Sequence, residues 1–120
     1  MKIGDVAKKA GVSVRSIRHY EAVGLVKSSR GESGYRDFGA DAALLVRRIA
    51  RMIRLGFTTA EIATFLNCIV DDISKATTCE NVALAHRKKL AEIERQIADL
   101  EARREKLLVT LKAASRQKSP

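Results

Sequence analysis

The 120-residue sequence predicts a mainly α chain: a small winged helix-turn-helix head followed by one long helix that pairs with a second copy. Three observations carry this. Residues 3–24 hold two short apolar-periodic segments separated by a glycine and a serine. Residues 25–38 hold two short runs flanking a loop rich in Ser and Gly. From Ala83 to Leu111 the stripe positions alternate at spacings of three and four, a heptad pattern.

The first segment is "IGDVAKKAGVS". Ile3, Val6, Ala7 and Ala10 share one helical face, and Gly11 is placed to stop the helix. Ser13 is a natural N-cap for the second helix, "VRSIRHYEAVG". There Val14 and Ile17 lie on one side, and Arg15, Arg18 and His19 on another. A helix with a basic, hydrogen-bonding face after a tight turn suits a DNA major groove. Gly24 ends it. Runs near Leu25–Lys27 and Tyr35–Phe38 then read as a β-hairpin wing, with Lys27, Arg30, Tyr35 and Arg36 on or near it.

Asp41 is expected to cap a third helix over Ala42–Leu55. Its apolar stripe reads Leu45, Ile49, Met52, Ile53, and Arg47, Arg51 and Arg54 form a basic stripe. After Gly56, Thr58 and Glu61 form a capping box for a fourth helix with Ile62, Phe65 and Leu66 inward and Cys68 at its end. Residues 70–76 read as loop. Thr77 and Glu80 suggest a second capping box, which makes Cys79 the second residue of the last helix. That helix runs to about Ala114. Its stripe is Ala83, His86, Leu90, Ile93, Ile97, Leu100, Arg104, Leu107, Leu111. A lone helix cannot bury such a stripe, so a homodimer is the simplest partner arrangement. His86 and Arg104 are polar interruptions that can fix register. The expected organisation is a DNA-binding head at 1–68, a linker at 69–78, a dimerisation helix at 79–114 and a flexible tail at 115–120.

Charge supports the same division. Residues 1–56 carry 12 Lys/Arg against 5 Asp/Glu, and residues 57–120 carry 11 against 9. A basic head on a balanced body points to double-stranded DNA as the partner. No apolar run approaches the ~20 residues needed to span a bilayer, and no signal peptide is visible. Two cysteines without a larger framework suggest a cytoplasmic chain with reduced thiols. Two His, no nucleophile motif and no phosphate-cradling glycine loop argue against an enzyme.

"IGDVAKKAGVSVRSIRHYEAVGLV", then "GYRDF", then "IRLGFTTAEI", then the heptad helix, resemble the mercury-resistance-regulator (MerR) family of bacterial transcription factors. The match runs in order over nearly the whole chain. "IRHYEAVGL" and "GYRDF" are its most specific parts. The resemblance implies a winged helix-turn-helix head and an antiparallel coiled-coil dimer. It also implies a palindromic operator within a promoter, distorted so that RNA polymerase can engage it, which makes indirect readout important. By position, Arg18 and Tyr20 match the family's recognition-helix contacts, and Tyr35 and Arg36 its wing contacts. Arg15 or Arg18 is expected at a base edge, and Tyr20, Tyr35 and Arg36 at phosphates. His19, Lys27 and Arg54 complete the DNA-binding set. Tyr20 has an alternative reading as a core aromatic. Two departures stand out: His19 replaces a usual aromatic, and "LVKSS" lacks the usual proline. Leu90, Ile93, Ile97, Leu100, Leu107 and Leu111 are the dimerisation residues.

Metal-sensing members of the family carry a cysteine where Cys79 stands, so a metal ion bound through Cys79 is the cofactor the resemblance allows. Their further cysteines after the long helix have no counterpart in "KAASRQKSP". Soft-metal sites normally need two or more thiolates, and within one chain only Cys68 could join Cys79. Cys79 therefore reads as a metal ligand, a redox or electrophile sensor, or a structural residue, with Cys68 as its companion candidate. Two rivals to an effector-controlled regulator remain. One is the same fold without a small-molecule effector, and the other is an architectural, excisionase-like DNA-bending protein.

Overall fold

A computed structural model describes residues 1–30, 36–71 and 79–117. The helices are α1 (Ile3–Ala10), α2 (Val14–Ala22), α3 (Ala42–Arg54), α4 (Thr59–Thr64), α5 (Leu66–Asp71) and α6 (Glu80–Gln117). Two short strands, β1 (Ser29–Arg30) and β2 (Arg36–Asp37), pair antiparallel, with Ser29 opposite Asp37 and Arg30 opposite Arg36. The chain divides into two compact units, Met1–Ala85 and His86–Pro120.

The turn between the first two helices forms as the residues dictate. Gly11 takes a left-handed φ of 71°, and its N–H reaches the Ala7 carbonyl at 2.9 Å. Only glycine adopts that conformation without strain. The Ser13 hydroxyl oxygen then accepts from the Ser16 N–H at 3.1 Å and caps α2. At its far end Gly24 has φ 83°, and Leu25 N–H turns back to the Tyr20 carbonyl at 2.9 Å. The hairpin base is held from two sides. The Ser28 hydroxyl donates to the Glu21 carboxylate of α2. The Met1 ammonium donates to Asp37 Oδ1 and to the Phe38 carbonyl, each at 2.7 Å.

One core unites these pieces. Val6 of α1, Ile17 of α2, Phe38 beside β2, Val46 and Ile49 of α3, and Ile62 of α4 are fully or almost fully buried. α1 packs chiefly on α3, whose Ala42, Ala43 and Ala50 are buried. The inward face of α3 therefore differs from the expected stripe. Val46 and Ile49 lead it, Leu45 and Met52 are half-buried, and Ile53 is exposed. Asp41 does not cap α3. Its backbone is already helical (φ −88°, ψ −3°), and its side chain accepts no amide.

The expected capping box at Thr58 is present. Glu61 N–H donates to Thr58 Oγ1 at 3.1 Å, and Thr58 N–H to Glu61 Oε1 at 2.9 Å. The single fourth helix is in fact two. The backbone leaves helical angles at Phe65 (φ −127°, ψ 21°), where the buried ring stacks edge-on against Phe57 at 5.5 Å. α5 then runs through Asp71, past the expected start of the loop at 70. The proposed Thr77 box lies outside the described residues.

α6 begins at Glu80, so Cys79 is its cap residue rather than its second helical residue. The Cys79 carbonyl accepts from Ala83 N–H at 3.1 Å. Val82 is buried in the head's core, and Cys79 and Ala85 pack against it half-buried. The first compact unit accordingly extends to Ala85 instead of ending at 68. The helix also continues through Gln117, three residues beyond the expected Ala114, so residues 115–117 are helical rather than a tail. In the second unit the helix surface carries ion pairs between Lys89 and Glu92 at 3.1 Å and between Arg103 and Asp99 at 2.5 Å.

Candidate nucleic-acid interface

α2 separates two faces by helical spacing. Ile17 and Tyr20, three residues apart, turn into the core. Arg15, Arg18 and His19 all face solvent. Each exposed side chain is thus carried on a helix pinned from behind by buried groups and at its start by the Ser13 cap. A rigid platform loses less on binding than a loop that must order.

Tyr20 is only 6% exposed, so its ring is a core element. Burial pushes its phenol above the usual tyrosine value of 10.0, partly offset by a hydrogen bond with Ser16 and by the charge of Arg54. The alternative reading of Tyr20 as a core aromatic is the one its burial matches. Arg54, at the end of α3, is exposed, and its charge is felt at the Tyr20 phenol. Lys27 is exposed on the approach to β1. The Arg36 backbone pairs with Arg30 in the hairpin, and Tyr35 lies outside the described residues.

Arg47 acts differently from Arg51 and Arg54. Its guanidinium donates to the Lys9 carbonyl at 2.6 Å, which satisfies a carbonyl at the end of α1. Nothing in a stripe of spaced arginines distinguishes this helix-tying residue from its neighbours. The Glu21–Ser28 contact at the root of the wing was equally invisible, because both residue types are ordinary on a surface.

The two cysteines are joined. Cys68, in α5, and Cys79, at the cap of α6, form a disulfide with Cα atoms 6.1 Å apart, and no free cysteine remains. This corrects the expectation of reduced thiols. Among the described residues no group of three or more His, Cys, Asp or Glu could hold a metal ion. The pairing was hard to foresee because it depends on where α5 ends and α6 begins.

The proposed dimerisation stripe is exposed within its unit. Leu90, Ile93, Ile97, Leu100, Leu107 and Leu111 are between 37% and 70% accessible. Large apolar side chains left open in a regular row on one helix mark an interaction face.

Comparison with known proteins gives a consistent answer. Residues 1–68 match the model of the MerR HTH family regulatory proteins, and residues 45–109 match a model described as "MerR, DNA binding". The HTH-type transcriptional regulator HmrR of Rhizobium leguminosarum bv. viciae is 33% identical over 83% of this chain and 75% of its own length. The mercuric resistance operon regulatory protein of Bacillus cereus is 36% identical over 92% of this chain and 82% of its own. The solved structure of the transcription regulator PbrR691 from Ralstonia metallidurans CH34 in complex with lead(II) superposes with a TM-score of 0.73. It is 25% identical, covering 90% of this chain and 82% of that one.

Proposed function

This chain belongs to the MerR family of helix-turn-helix regulators, and from that premise we propose that it is a dimeric, DNA-distorting switch for transcription. It is a DNA-binding transcription regulator and not an enzyme, as its relatives are. Two copies joined along the 90–111 stripe present two heads to the halves of a palindromic operator. Bending and untwisting the promoter between them governs access by RNA polymerase. Such work belongs in the bacterial cytoplasm, and among the described residues no helix is long and apolar enough to cross a membrane.

The observation that carries the reading is the solvent face of α2, where Arg15, Arg18 and His19 stand opposite the buried Ile17 and Tyr20. Arg15 or Arg18 reads a base edge. Arg54, Lys27, Arg36, Tyr35 and the Tyr20 hydroxyl anchor phosphates and set the register. The test uses a duplex selected by the protein itself from a random pool. Arg18→Ala should weaken binding to it by ~1–3 kcal/mol if the contact is to a base edge. The dimer should persist. Unchanged affinity at moderate salt would sink the assignment of α2.

Control is proposed to act at Cys79, as the metal-dependent relatives suggest. The residues fit a soft ion only in part. Two sulfurs lie within reach of each other, which is the minimum such an ion takes, but they are bonded to one another. A metal ion therefore requires the reduced pair, and no step is routed through one here.

A further inference from the structure

We infer that Cys68 and Cys79 form a reversible thiol–disulfide switch within one chain, exchanging with low-molecular-weight thiols and disulfides, and that its oxidation state sets operator affinity. This rests on the reading of the chain as a promoter-bound regulator.

Three observations carry it. The Cα separation of 6.1 Å lies inside the ~4.4–6.8 Å range that a disulfide spans without moving the backbone. Both residues are half-buried at the margin of the core rather than sealed inside it. The bond also joins two functional parts. Cys68 belongs to α5, while Cys79 caps the helix whose Val82 and Ala85 pack into the head's core. Closing the bond fastens the start of that helix to α5, which packs on α3. Opening it removes the covalent tie and leaves the packing of Val82 and Ala85 in place. A permanent staple would serve a secreted protein. In a reducing compartment, disulfides are usually transient and redox-sensing.

The chemistry balances as two exchanges. One protein thiol, as thiolate, attacks a sulfur of oxidised glutathione. A mixed disulfide forms, and one glutathione thiolate leaves and takes up a proton. The second protein thiolate attacks the protein sulfur of that mixed disulfide. The Cys68–Cys79 bond forms and the second glutathione departs. Two protein thiols are oxidised by two electrons, and one small disulfide is reduced to two thiols. The reverse sequence reopens the switch. While the bond is closed neither sulfur is free to ligate a soft ion, so oxidation and metal loading exclude each other at Cys79.

The experiment equilibrates the full chain in glutathione buffers from fully reduced to fully oxidised, then traps thiols with a maleimide and weighs the protein. Both thiols should disappear together in one two-electron transition, with peptide mapping placing the bond within a single chain. Operator affinity should differ between the end states by at least about fivefold, the lower end of ordinary coupling between sites. Cys68→Ser and Cys68→Ala should each abolish that difference while retaining a native circular dichroism spectrum. Thiols that stay open to maleimide in oxidised glutathione, or that yield only mixed disulfides, overturn the pair. Equal operator affinity in both states overturns the switch. A separate arm offers Cu(I) to the reduced protein. If no ion binds while the glutathione transition remains, the metal reading falls and the redox pair stands. The maleimide readout needs no DNA, so it survives a failure of the operator assignment.

Discussion

Tyr20 shows how one residue serves two requirements. Its ring belongs to the core under α2, and burial raises its phenol's pKa, with Ser16 and the Arg54 charge pulling the other way. Because burial raises the phenol's pKa in the fold, the neutral form is favoured there. Stability from this group is fully present below the ordinary value of 10.0 and is lost as pH rises through the higher folded value. Wild-type melting temperature should therefore fall more steeply above pH 10 than that of Tyr20→Phe. At neutral pH the variant should lose ~0.5–1.5 kcal/mol with the hydrogen bond to Ser16. Parallel curves above pH 10 would show that the phenol does not titrate as argued. The burial of Tyr20 was legible in the sequence, since it follows Ile17 by three residues on the apolar face. The DNA role expected of it rests on the resemblance of "IRHYEAVGL" to the family's recognition helix. The tie from Arg47 to the end of α1 is not legible, because spacing fixes a face but not which neighbour a guanidinium meets.

Short helices depend on their ends, and α4 has only six residues. The reciprocal Thr58–Glu61 bonds satisfy two amides that have no helical partner. Thr58→Ala should cost the head about 1 kcal/mol, read by denaturant unfolding of the full chain. A loss below a few tenths would mean that tertiary packing of Ile62 and Phe65 holds α4 without its cap. The boxes and glycine stops were the most readable features of this chain, because each satisfies local donors or a local φ. The failures also have local causes. Asp41 has capping chemistry but begins in a helical conformation, so its oxygen misses the amides. Phe65 continues the apolar period, yet the helix breaks there, where its ring packs edge-on against Phe57. Periodicity cannot report that long-range contact.

At the scale of the whole molecule, α6 is the dominant element. Its 38 residues extend roughly 57 Å at the usual helical rise. Its length and stripe are legible in the heptad spacing, whereas its anchorage through Val82 in the head is not, because a capping box and a heptad period mark where a helix starts and which face is apolar, not what its first turn packs against. Ile93→Asp combined with Ile97→Asp places carboxylates in the stripe. Sedimentation should then show monomers, with the head's α-helical signal and melting retained. A double mutant that still sediments as a dimer would place the seam elsewhere. The Cys68–Cys79 bond adds a temporal dimension to such an assembly. A bound ion leaves as its concentration falls, but an uncatalysed disulfide rearranges over minutes to hours. A regulator that stores its last oxidant as a covalent bond has hysteresis: its promoter state reports recent history, and resetting it needs a reductant rather than mere dilution of the signal.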